Sequence, residues 1–222
     1  MREKMNTKNS SHSFKSNTEK IHFAEVVESS LHDWRAQCWQ WDTFPSFGSI
    51  VTIKSGLRTI FGIVHQVKMG SIDPTRYPFA YQKTEEELMQ EQPQIFEFLK
   101  TTFSCITIGY LQGGKNYYLL SPQPPKIHTF VAHATTEESK QFFASDAYLH
   151  LLFGLSGQIF NLEELLLAMI QYQSTLNILS KEKINNFIET FSLLTANDYR
   201  RLKLFLQRVE PLFNMHKGLQ NV

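Results

Sequence analysis

The apolar residues of this chain change period once, near Ala134, and that change limits what the chain can fold into. Before it they fall in short runs punctuated by glycine, proline and small polar residues: Phe23–Ser29, Trp34–Trp41, Ser49–Lys54, Arg58–Val67, Thr102–Leu111, Tyr117–Leu120 and Ile127–Ala132. After it they recur every three or four residues. Closely spaced short strands predict a barrel or sandwich, and the later period predicts helices. The expected fold class is α+β: a small closed β-barrel over 21–134, then a helical subdomain of about four helices over 135–215.

Local signals punctuate this frame. Gly62 inside the Arg58–Val67 run marks a bend or bulge of the kind a closed barrel needs at its corners. Residues 68–83 read as irregular. Thr84-Glu85-Glu86-Glu87 is a capping box that opens a helical insertion over 84–100, interrupted at Pro93. Thr135-Thr136-Glu137-Glu138 opens another helix, with Phe142, Leu149, Leu152 and Phe153 on one face and Gly154 and Gly157 as its stop. Asn161 caps the next helix. Two more are expected at about 181–194 and 197–213, the last with Tyr199, Leu202, Phe205, Leu206 and Val209 as its apolar face.

Composition supports a packed protein: 42% of residues are hydrophobic, and 18 Phe, 8 Tyr and 3 Trp supply large buried areas. Net charge is +1, with no global pull toward nucleic acid or membrane. Residues 1–20 are polar, with five basic against two acidic side chains, and read as a disordered tail. The most apolar stretch, Leu151–Ile170, contains Glu163 and Glu164, which argues against a membrane span. Only Cys38 and Cys105 are present, both in apolar runs, so a reducing cytoplasm is expected.

Several strings resemble chemistry without completing it. Gly109 to Lys115 has P-loop spacing, but Asn116 stands where a hydroxyl is needed and a strand follows, so a hairpin turn is expected. Gly154-Leu155-Ser156-Gly157 lacks nucleophile-elbow spacing. His128 and His133 are expected on opposite faces of one strand, with no partner ligands. Trp34, Trp39 and Trp41 have one basic neighbour, Arg35, and read as packing residues. No metal, cofactor or catalytic residue is expected.

Residues 47–132 resemble the HAS barrel, the small β-barrel of HerA-type DNA translocases and of F-type ATP synthase subunits. The resemblance is carried by Gly48-Ser-Ile-Val-Thr-Ile-Lys, Ile60-Phe-Gly-Ile-Val, Pro78-Phe-Ala-Tyr-Gln-Lys-Thr-Glu-Glu-Glu-Leu, Ile106-Thr-Ile-Gly and Pro122-Gln-Pro-Pro-Lys-Ile-His. In the HerA type a RecA-like ATPase core follows the barrel. Here about 90 helical residues follow, so no catalytic role carries over. What the resemblance implies is assembly: a non-catalytic adaptor that binds protein partners and itself, its partner a DNA-processing motor, a nuclease or another ATPase. The apolar segment with Tyr77, Phe79 and Tyr81 is the expected docking loop, against the alternative that it folds back over its own barrel. A second expectation is a nucleic-acid-binding accessory protein that uses Arg200, Arg201, Lys203 and Arg208 of the last helix. An enzyme with an unfamiliar site is the third.

Overall fold

Alternating burial along the first strands sets the architecture. In the computed structural model, which describes residues 21–73, 75 and 78–219 with side chains as far as 211, β1 (His22–Ser29) and β2 (Asp33–Cys38) turn Ala24, Val26, Trp34, Ala36 and Cys38 inward. They join β3 (Ile50–Ser55), β4 (Arg58–Ser71), β5 (Leu99–Gln112) and β7 (Phe130–His133) in an antiparallel ring. The order around it is β1-β2-β5-β4-β3-β7, and the β7–β1 pairing closes it into a six-stranded barrel. β6 (Lys115–Tyr117) pairs with β5 outside the ring. Closure leaves no free edge around the barrel itself. The tail expected over 1–20 and Tyr77 lie outside the described residues.

The ladder breaks where Gly62 predicts a bend. Register shifts fall between Phe61 and Gly62 and again between Val64 and Gln66. A Cβ on Gly62 would sit 2.6 Å from the Trp34 indole, so only glycine lets that buried ring lie against β4.

Two cores share one wall. Val51, Ile53, Ile60, Val64, Phe103 and Cys105 fill the barrel. Their neighbours Ile50, Phe61, Ile63, Ile106 and Ile108 point outward into the helices. Burial on both faces explains why these strands read as unbroken apolar runs. The helices that complete this second core are α3 (Thr136–Phe142), α4 (Tyr148–Gly154), α5 (Leu162–Thr175), α6 (Lys181–Leu194) and α7 (Tyr199–Leu219), with α6 and α7 packed on α4 and α5. The joint is tight at Gly48, whose φ is +79° and whose Cβ would meet Ala168 of α5 at 2.6 Å.

Several expectations change. The helix opened by Thr135 is two, because the chain breaks over 143–147. Ser145 Oγ there accepts from the Ala147 amide, the local competition that makes serine a poor helix interior. Gly154 and Gly157 lack the positive φ of glycine caps, and a short 3-10 turn, Ser156–Gln158, follows α4. β7 starts at Phe130, since His128 has a φ of 68°. His128 meets Glu25, whereas His133 stacks on Phe23 at 4.2 Å, so the two histidines do not share a strand. Tyr199 is 75% exposed, off the apolar face assigned to it. β4 runs on through Lys68–Ser71, read above as irregular.

Candidate functional site

That extension makes an arm. β2 pairs with β5 only over Thr102–Ile106, whereas Met69–Ser71 and Leu99–Thr101 pair only with each other. The β4–β5 ladder therefore continues past the barrel rim. The Ile72 amide donates to Phe98 O at 2.7 Å and closes its tip. The insertion hangs there, with α1 (Glu85–Glu91) and α2 (Gln94–Glu97). The capping box forms as expected: Thr84 Oγ1 accepts from the Glu87 amide, and the Glu87 carboxylate accepts from the Thr84 amide. A brace comes from the segment after β2. Trp41 stacks on Phe96 at 5.4 Å, and Thr101 Oγ1 donates to the Trp41 carbonyl.

The insertion is ordered by caps and braces rather than by a core. Neither α1 nor α2 buries a residue. Phe79 and Tyr81 lie with ring centres 4.2 Å apart at a tilt of 35° and form one wall of a groove that Pro78, Ile95, Phe98 and Leu99 line with several polar residues, with a volume of about 470 Å³. Phe79 is 68% exposed. The segment expected to dock a partner lies on the insertion at the arm's tip. Five glutamates stand against one lysine between Pro78 and Phe98, and that lysine, Lys83, pairs with Glu91. Ser71, Thr75, Gln92 and Gln94 supply the polar part of the groove's lining.

The basic set of the last helix is divided. Arg201 Nε lies 2.6 Å from Glu163 and Arg208 Nη2 lies 2.6 Å from Glu164, both carboxylates in the first turn of α5. Arg200 and Lys203 are exposed and make no ion pair among the described residues. Two of the four cations are thus paired with carboxylates of α5, and two face outward without such a pair.

The glycine–lysine string is a hairpin. Gln112 pairs with Lys115 across Gly113 and Gly114, whose φ values of 57° and 75° suit a two-residue turn of the primed kind, and Lys115 begins β6. Trp34 is buried, while Trp39 meets Phe130 edge-on at 5.2 Å on the barrel exterior. Burial pushes the Cys38 thiol up to about 12 and raises that of Cys105. Neither is poised as a nucleophile.

One cluster escaped the sequence reading. Asp146, Tyr148, Gln173 and Lys183 converge on a cavity of about 20 Å³ beside Phe187 and Phe205. Burial raises the Asp146 carboxyl and the Tyr148 hydroxyl and lowers the Lys183 ammonium. A space of that size takes about one water molecule, so the cluster ties helices together instead of admitting a substrate. Its only local signal is an acidic residue in the apolar string Phe142 to Phe153, and Lys183 lies far along the chain.

Among the described residues no three His, Cys, Asp or Glu side chains gather as metal ligands, and no helix is long and apolar enough to cross a membrane. No protein-family model matches the chain, and no curated protein matches it in sequence.

Proposed function

We propose that this chain is a non-catalytic assembly or adaptor protein that docks protein partners at the tip of its β4–β5 arm. The carrying observation is an insertion with fixed helices and braces that buries none of its helical residues and presents an open apolar groove. Order without a core is stable where a partner completes the burial, and an exposed groove lined by aromatics suits a protein surface. Residues on a projecting arm reach a partner without disturbing the barrel behind it. The HAS-barrel resemblance extends the reading: the partner is a DNA-processing motor or another ATPase, met in a reducing cytoplasm where the two buried thiols persist.

A photo-crosslinking residue tests this. Placed at Phe79 in the native host, it should yield a covalent adduct of defined mass that one placed at Phe160, exposed on the helical side, does not. If position 79 returns only uncrosslinked chain while position 160 captures protein, the docking surface lies elsewhere and the reading fails. The nucleic-acid alternative through Arg200, Arg201, Lys203 and Arg208 gains no support from ion pairs that occupy two of the four.

A further inference from the structure

The chain enters β1 beside the arm. Glu25 pairs with Gln37, Gln37 with Thr102, and Thr102 with Lys68, so these residues form one row across β1, β2, β5 and β4. β1 and β5 both run antiparallel to β2, and stepping back along either one leads toward the arm's tip. Four residues back from the row stand Ile21 on one side and Phe98, in the groove, on the other. β2 alone separates the two strands, so the start of β1 lies roughly 10 Å from the arm, two strand spacings away. The segment after β2 runs through that gap. The Trp39 amide donates to the Phe23 carbonyl at 3.0 Å, and the Trp41 carbonyl accepts from Thr101 Oγ1. Ile21 is 85% exposed, so the chain before it leaves over the surface at the level of the groove.

The sequence before Ile21 is polar with one exception. Between 6 and 20 the single apolar side chain is Phe14, set between Ser13 and Lys15. Seven residues link Phe14 to Ile21, a reach of at most about 25 Å, ample for the gap to the arm. The groove offers matching chemistry. Phe79, Tyr81 and Phe98 present aromatic surface, Ser71 and Gln94 offer neutral hydrogen-bonding groups to an extended backbone, and none of the described lining residues is charged. A side chain tethered this closely has an effective concentration in the millimolar range, so even a weak contact is mostly filled. We propose that the groove is occupied by this chain's own N-terminal segment, with Phe14 seated beside Phe79 and Phe98, and that a partner docks by displacing it. The displacement rests on the arm being a docking surface; the strap itself adds what holds the groove beforehand. An occupied groove lowers the apparent affinity of any partner in proportion to the fraction of chains left open.

A photo-crosslinking residue at Gln94, exposed on the groove's lining, tests the strap in the purified full chain. Irradiation should join position 94 to a residue between 12 and 16, read by peptide mass spectrometry. An equal mixture of isotopically light and heavy chains should give no mixed adduct. Phe14→Ser should cut the yield about tenfold or more, because burying a phenyl ring is worth over a decade of occupancy. The yield should hold at about 1 M salt, since screening does not weaken an apolar contact. Absence of this adduct overturns the proposal, as do an adduct undiminished in Phe14→Ser and a mixed adduct, which would assign the groove to a second copy. In the native host, Phe14→Ser should raise capture of protein by the crosslinker at position 79. If the purified chain gives no intrachain adduct while position 79 still captures protein, the strap is wrong and the arm still docks. If the intrachain adduct forms and position 79 captures nothing even in Phe14→Ser, the strap stands as a permanent cover and the docking reading fails.

Discussion

At the scale of single residues, close approach decides more than charge. Gly62→Ala should cost about 1–3 kcal/mol in urea unfolding, because the added methyl meets the Trp34 ring from inside a filled barrel. Gly154→Ala is the control. A methyl there meets nothing and the residue is helical, so the expected change is neutral to a gain of about 0.5–1 kcal/mol. The thiols give a separate readout. With both buried and their ionisation pushed up, iodoacetamide at pH 8 should label neither until the chain is unfolded. Asp146 introduces a pH dependence with a definite sign. Burial raises its carboxyl, so the folded chain holds a proton that the unfolded chain has released. Its stabilising contribution is complete below the ordinary carboxylate range and is lost as pH climbs through the raised value. Lys183 and Tyr148 line the same cavity. Asp146→Asn should flatten the fall in stability across that mildly acidic window, as measured by thermal melts.

At the scale of elements, two identical motifs should behave differently. Thr84–Glu87 and Thr135–Glu138 are both complete capping boxes. α3 buries Phe142 against Phe61 at 4.5 Å, so Thr135→Ala should lower global stability by about 1 kcal/mol. α1 buries nothing, so Thr84→Ala should speed amide exchange within the insertion and leave global unfolding in place. Local chemistry made much of this level readable in sequence. Gly62, the Gly113-Gly114 pair, both capping boxes and Asn161 announce their structure because each acts within a few residues. The break over 143–147 carries no glycine or proline, so an unbroken helix was the natural reading of Phe142 to Phe153. The arm was hidden because Lys68–Ser71 shows no alternation: those residues pair on an exposed ladder that has no apolar side to declare. That Phe79 and Tyr81 fall in one apolar segment was legible, whereas the groove they line with Ile95 and Leu99, and the Asp146–Lys183 cluster, depend on residues brought together from separate elements.

At the scale of the whole molecule, a shared wall makes barrel and helices interdependent. Ile50, Phe61, Ile63, Ile106 and Ile108 would face water if the helices were removed. Far-UV circular dichroism, dominated by helices, and the fluorescence of a W39F/W41F variant, reporting Trp34 in the barrel, should follow one coincident unfolding transition. Two separated transitions would mean that the helices fold as an independent unit.

The uninterrupted run of β4 and β5 from the helix-covered wall to the outermost insertion has a mechanical consequence. Each strand is a single span, anchored at one end by side chains packed on both faces and braced at the other by Trp41 alone among the contacts described above. Such a cantilever carries torque to its root, at the bulges beside Phe61 and Val64. Whatever pulls on the tip twists the strands on which Phe142 and the other helical side chains rest, so a load taken up at the far end is felt in the helical half without any hinge between them.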